Sequence, residues 1–118
     1  LKGNFKMSHT LTKNVIVEWA PFELAEGVDE ATLIAASAAL QAEFISKQSG
    51  FVSRELLKGQ ANQWVDIVYW NSMAEAKLAA QNAANSPVCF KYFSLMVGAD
   101  HAEPGAGVLH FERVKTYQ

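Results

Sequence analysis

Trp64-Val65-Asp66-Ile67-Val68-Tyr69-Trp70, followed at once by Asn71-Ser72-Met73-Ala74-Glu75, is the stretch that decides the fold. β-Branched and aromatic residues dominate the first seven positions, the composition of a strand. Period-two alternation puts Trp64, Asp66, Val68 and Trp70 on one face and Val65, Ile67 and Tyr69 on the other. Both faces are largely apolar, so both must be covered. Ser72 and Glu75 read as a capping box, in which the Ser72 hydroxyl takes a backbone N–H and Glu75 reaches back. The strand therefore runs directly into a helix, expected to continue to about Ala84.

Upstream, Phe51 to Lys58 reads as a strand joined to this one by a polar turn, Gly59 to Gln63, of hairpin length. Ahead of it, Ala31 to Ser49 is free of Gly and Pro and rich in helix formers, with Asp29 as N-cap and Gly50 at its end. Leu33, Ala36, Leu40 and Phe44 give that helix one apolar stripe. A first strand covers Asn14 to Phe22, with Pro21 expected to end its pairing. Its alternation separates Val15, Val17 and Trp19 from Ile16, Glu18 and Ala20. Downstream, Asn85-Ser86-Pro87 interrupts the second helix, because a proline in mid-helix costs about 3 kcal/mol. Ser86 as cap and Pro87 at the first position restart it through about Val97, and Gly98 ends it. Residues 99–107 read as a loop and Val108 to Thr116 as a fourth strand.

The order strand–helix–strand–strand–helix–strand, with right-handed crossovers, predicts a four-stranded antiparallel sheet in the order 4-1-3-2 with both helices on one face. This is a ferredoxin-like α+β fold, expected as one domain over residues 14–118. Residues 1–13 read as a flexible arm, with Met7 as a native start and Leu1 to Lys6 as a leftover segment. The sheet face carrying Val15, Val17, Trp19, Val65, Ile67 and Tyr69 is too apolar to meet water alone, which predicts a homodimer formed by that face.

Half of the 118 residues are apolar and 19% are charged, which excludes disorder and suits a single core. A net charge of −2 with no basic run argues against nucleic acid and anionic membrane as partners. No apolar run approaches the roughly 20 residues of a spanning helix. Cys89 is the only cysteine, so an internal disulfide and a multi-cysteine metal site are impossible, and a cytoplasmic setting is expected. Phosphate-cradling, dinucleotide, zinc and nucleophile-elbow motifs are absent from the sequence.

The chain resembles the dimeric α+β barrel superfamily, and within it the antibiotic-biosynthesis-monooxygenase-like group. The matching residues are Gly50-Phe51-Val52-Ser53, Tyr69-Trp70-Asn71-Ser72 with Glu75-Ala76, and Ser86-Pro87-Val88-Cys89-Phe90, within a resemblance spanning residues 14–116. That group includes cofactor-independent monooxygenases acting on aromatic polyketides or quinols, and haem-degrading enzymes. The haem degraders combine a first-strand Asn, a Trp ending the third strand and a haem-ligating His on the second helix. Trp70 matches, but Ala20 stands at the Asn position and Phe93 or Ser94 at the His position, with no His between Ser72 and Val97. Haem degradation by that route is therefore not expected. Stress-responsive relatives use an early His; His9 lies outside the first strand.

With Trp70 facing the helices, as the resemblance implies, Trp64, Asp66 and Val68 share its face, and Glu18 and Ala20 join them from the neighbouring strand. His110 and Glu112 share one face of the fourth strand, whose phase the sequence leaves open. A pocket between sheet and helices could then gather Glu18, Asp66 and His110 as catalytic residues among Ala20, Trp64, Val68, Trp70, Phe90 and Phe93. Buried carboxylates have raised pKa values and a histidine relays protons; a phenol or hydroquinone deprotonated in a dry cavity can meet O₂ without a cofactor.

Each of these residues also has a purely structural role open to it. Mid-strand acids pair across strands with Arg54, Arg113 or Lys58. Trp70, Phe90, Tyr92, Phe93 and Met96 serve as core at those spacings, and Cys89 as a small buried apolar residue. His101 with Asp100 and Glu103 reads as a solvated turn before a metal site. The expected function is thus a small-molecule-binding dimer, either a cofactor-free monooxygenase for small aromatic or quinol-type substrates or a non-catalytic ligand-binding or assembly domain.

Overall fold

The computed structural model describes residues 14–99 and 107–118. His9 and the His101, Asp100, Glu103 cluster lie outside the described residues. The chain forms β1 (Ile16–Glu23), α1 (Glu30–Glu43), a 3-10 turn (Ile45–Lys47), β2 (Phe51–Lys58), β3 (Gln63–Trp70), α2 (Met73–Ala83), α3 (Pro87–Phe93) and β4 (Leu109–Glu112). The strands are antiparallel in the order β2-β3-β1-β4, the expected 4-1-3-2 read from the other edge. Among the described residues, no helix is long and apolar enough to cross a membrane.

Local chemistry starts each helix. Asp29 accepts the Thr32 N–H at 2.8 Å to open α1, and Ser86 Oγ accepts the Cys89 N–H at 3.3 Å to open α3, with Pro87 in its first turn. Ser72 Oγ accepts the Glu75 N–H at 3.2 Å. The return half of the expected capping box is absent. The Glu75 carboxylate instead takes the Ser72 and Ser49 hydroxyls, at 3.0 and 2.8 Å. Glu75 is thereby held against Gly50, whose φ of +80° and lack of a Cβ make room for it.

Leu33, Ala36, Leu40 and Phe44 are all buried, so the stripe of α1 faces the sheet. With Trp64, Val68, Trp70, Ala76, Ala79, Cys89 and Tyr92 they form a single core between sheet and helices. α1 ends six residues before Ser49, at Glu43, where a change of backbone direction at Phe44 tucks both Phe44 and Ile45 into that core.

Three further boundaries depart from expectation. Pro21 lies inside β1, opposite Val65. β4 pairs only with Ile16 to Trp19, so Pro21 occupies a stretch of β1 that β4 does not flank, where a missing N–H is tolerated. α3 stops at Phe93, and the chain beyond it turns back onto the end of β1: Leu24 bridges Met96, and the Val97 N–H donates to Glu23 O at 2.8 Å. β4 is four residues long because Glu112 already lies opposite Ile16, the first residue of β1. One more bond follows, from the Arg113 N–H to Val15 O at 2.8 Å.

Val17, Trp19, Val65, Ile67 and Tyr69 alternate with helix-facing residues and so occupy the sheet face remote from the helices, and Val15 and Tyr69 border a shallow groove there with Val52, Ser53, Glu55 and Arg113. Trp19, Leu57, Leu109 and Phe111 are exposed on the same side. Ile67, between Trp19 and Glu55 in register, is only 6% exposed and adds little free surface.

Candidate functional site: a cavity between sheet and helices

Beside that core, a cavity of about 590 Å³ opens between sheet and helices. Its roof is apolar, built from Ala79, Ala80 and Ala83 of α2, Phe90 and Phe93 of α3, and Leu40 and Phe44 from α1 and its end. Its floor is polar: Glu18 on β1, Arg54 on β2, Asp66 on β3 and His110 on β4 all line it, as do Ala20 and Trp70. Alternation explains the convergence. Arg54 and Glu18 both lie opposite Val68, and His110 lies opposite Glu18, so one row crosses all four strands on the helix-facing side. The phase of β4, open in the sequence, is thereby fixed with His110 inward.

Glu18 Oε1 accepts the Trp70 indole N–H at 3.1 Å and lies 3.3 Å from His110 Nε2. Both side chains of the Glu18–His110 pair are about four-fifths buried, at 21% and 22% exposure. Burial pushes the Glu18 carboxyl above its ordinary value, an effect that the contacts with His110 and Trp70 oppose and the charge of Asp66 reinforces. When Nε2 donates to Glu18, the lone pair of a neutral His110 ring is on Nδ1, which makes the ring a proton acceptor oriented by a carboxylate.

Asp66 is placed differently. Arg54 grips it with two parallel bonds, Nε to Oδ1 and Nη2 to Oδ2, each 2.8 Å, and the Tyr92 hydroxyl donates to Oδ2 at 2.7 Å. Arg54 also donates to Ser37 O at 3.1 Å and Ser37 Oγ at 2.9 Å, tying β2 and β3 to α1 and α3. Burial alone would lower the Arg54 pKa; the bonds to Asp66 and its charge carry it above the ordinary value. Burial, then Asp66, raises that of Tyr92. The structure thus brings Glu18 and His110 into contact but engages Asp66 in an ion pair with Arg54, supported by the Tyr92 hydroxyl.

Of the six pocket residues expected from sequence, Ala20, Trp70, Phe90 and Phe93 line the cavity. Trp64 and Val68 do not, and the expectation is corrected for both. Trp64 is buried in the core at the opposite end of β3 from Trp70, with Lys58 Nζ 5.9 Å above its ring. Val68 is flanked in register by the longer Arg54 and Glu18 side chains, which supply the cavity surface there. Sequence reasoning gave Tyr92 only a core role and Arg54 only that of a cross-strand partner. An arginine diagonal to an inward acid across the β2–β3 hairpin was the available signal for the pair; nothing local marked the Tyr92 hydroxyl. Cys89 is buried, and burial raises its thiol pKa, as suits an inert packing residue. Among the described residues, no group of three or more His, Cys, Asp or Glu side chains could hold a metal ion.

No protein-family model matches the chain, and no curated protein does. Solved structures do. The cofactor-independent oxygenase SnoaB from Streptomyces nogalater superposes with a TM-score of 0.63 at 18% identity, over 89% of this chain and 96% of that one. A Bordetella bronchiseptica protein, assigned by its description to the antibiotic biosynthesis monooxygenases, gives 0.66 at 17% identity over 88% and 99%. A heme-degrading protein from Mycobacterium tuberculosis gives 0.50 at 20% identity over 89% and 97%. The chain therefore has the ferredoxin-like α+β fold of the antibiotic-biosynthesis-monooxygenase-like proteins. At these identities the likeness establishes the fold, and the chemistry has to be argued from the cavity.

Proposed function

We propose that this protein is a cofactor-independent monooxygenase for small aromatic hydroxy compounds, with Glu18 and His110 as its proton-handling pair. One observation carries the reading: a carboxylate and an imidazole in contact on the polar floor of a cavity whose roof is apolar. An aromatic ring fits against Phe90, Phe93 and the alanines of α2, while its hydroxyl meets the floor. His110, held by Glu18, takes the phenolic proton, and the phenolate, poorly solvated in this space, becomes a strong electron donor. The oxidant is O₂. For a phenol with a free para position, one oxygen atom enters the ring to give a quinone and the other leaves as water with two substrate hydrogens.

Supporting it are the hollow interior, which a domain serving assembly alone does not need, and the oxygenase named among the structures that share the fold. In this reading two copies pack through the outer sheet face, covering Trp19, Leu109 and Phe111. A helix-ligated haem does not suit the cavity, because among the described residues its one lining imidazole is that of His110, which lies on β4 and is engaged by Glu18.

The test is oxygen uptake and naphthoquinone formation with 1-naphthol as probe, comparing the wild-type chain with His110→Ala and Glu18→Gln. Uptake that falls at least about tenfold in either variant is expected, within the range for lost general-base catalysis. Tight binding of 1-naphthol with no uptake in the wild type would replace this reading with a non-catalytic binding role.

A further inference from the structure

We propose that the buried Arg54–Asp66–Tyr92 cluster is a positioning group for the proton-handling pair: it sets the charge that Glu18 faces across the cavity floor. Through Glu18 it acts on His110, the proposed proton acceptor. The inference rests on the reading of Glu18 and His110 given above.

The geometry is that of diagonal neighbours. Glu18 lies opposite Val68, and Asp66 lies two residues from Val68 on the same face, so the carboxylates belong to a pair of sites about 7–8 Å apart. Both line the same cavity, and charges within such a space are weakly screened. Left alone, Asp66 would oppose ionisation of Glu18. Arg54 offsets part of that charge: the guanidinium is bonded at both ends to Asp66, with side-chain exposures of only 6% and 9%. Tyr92 adds a third donor to the Asp66 oxygens at 2.7 Å.

Two observations separate this role from ligand binding. Both Asp66 oxygens already accept from Arg54, and the other Arg54 bonds go to Ser37, so most of the pair's bonding capacity is taken by protein partners. The rest of the surroundings are quiet. Among the described residues that line the cavity, the titratable or charged groups facing Glu18 are Arg54 from β2, Asp66 from β3, His110 from β4, and Cys89 and Tyr92 from α3; α1 and α2 contribute none. Besides His110, the charged side chains near Glu18 in the cavity are thus the two of this pair.

The test is NMR titration of the Glu18 carboxyl and the His110 ring in the ligand-free protein. Asp66→Asn removes an anion and leaves the Arg54 cation, so the Glu18 midpoint falls by about one pH unit. Tyr92→Phe strips a donor from Asp66 and moves it upward. Arg54→Met combined with Asp66→Asn removes both charges and returns it close to wild type. Unmoved midpoints, shifts of the same sign in Asp66→Asn and Tyr92→Phe, or a double variant that keeps the Asp66→Asn shift would each overturn the proposal. Should Asp66→Asn fail to give a folded amide spectrum, the conservative Tyr92→Phe decides alone: an upward shift supports the role, and no shift refutes it. Absence of 1-naphthol turnover in every form would remove the oxygenase reading while leaving these titrations valid.

Discussion

The same carboxylate oxygen, Glu18 Oε1, meets the Trp70 indole N–H at 3.1 Å and His110 Nε2 at 3.3 Å, so one acid joins the end of β3 to β4 through β1. The acid is mostly buried yet has partners, and the balance between these two facts governs how the protein responds to pH.

Glu18→Gln is expected to stabilise the fold at neutral pH. The folded-state pKa of Glu18 is raised, chiefly by burial, above an ordinary value of about 4.5. The folded protein therefore holds this proton more tightly than the unfolded chain, and the stability it contributes below the unfolded pKa is lost as pH rises through the folded one. The Tm difference between Glu18→Gln and wild type should be near zero well below pH 4.5 and favour the variant at pH 7. Thermal melts across that interval measure it, and a variant less stable at pH 7 than at pH 4 relative to wild type contradicts the sign.

Arg54→Met leaves the Asp66 carboxylate buried with only Tyr92 beside it. Breaking a buried pair from one side costs about 3–5 kcal/mol, on the order of 15 °C in Tm for a domain of this size. Replacing both, with Arg54→Met and Asp66→Leu, should recover most of that loss, because no uncompensated charge remains. Denaturant midpoints of the two variants provide the comparison.

Gly50→Ala combines a φ of +80° with a Cβ driven into the Glu75 side chain. A loss of about 1–3 kcal/mol is expected from the backbone conformation alone. Glu75 is anchored by both Ser49 and Ser72, so it cannot swing aside without giving up two bonds. Equilibrium unfolding in urea reads the effect, and Gly50→Ala together with Glu75→Ala should lose less than the sum of the single changes.

Phe111→Glu should yield a protomer. Phe111 is 53% exposed on the outer sheet face, opposite Val17, and a charge there meets its own symmetry mate or its neighbour's apolar surface. Sedimentation equilibrium is expected to give twice the 12.9 kDa chain mass for wild type and one chain mass for the variant. A wild type that sediments as a single chain removes the dimer from the account.

How far the sequence could be read follows from where its signals are local. Strand geometry separated the two faces of β3, but both are largely apolar, so which of them meets the helices was implied by the resemblance and not by the pattern; the adjoining Ser72 marks where the strand ends. Those faces carried Glu18 and Ala20 inward with them once β1 was placed alongside. The inward phase of His110 was not legible, since β4 is only four residues long and its apolar pair, Leu109 and Phe111, is on the face opposite His110 and Glu112; pairing with Glu18 decides it. Pro21 misled for a related reason: a proline ends pairing only where a strand is flanked on both sides, and this stretch of β1 is not. Arg54 was legible as a cross-strand partner for a mid-strand acid, whereas the role of Tyr92 depends on bringing α3 over Asp66, a contact across 26 residues that no local pattern encodes. Asp66 itself was grouped with Glu18 because both are inward acids, and the distinction between them is a partner, not a position.

The measurement that bears most directly on the account is a reaction of the purified protein with 1-naphthol under ¹⁸O₂, analysed by mass spectrometry of the quinone. One ¹⁸O atom per product molecule is expected from wild type, with product reduced at least about tenfold when His110 is replaced by Ala. Product that carries oxygen from water, or that forms equally well without the His110 imidazole, would contradict a proton-accepting pair of Glu18 and His110 at the floor of this cavity.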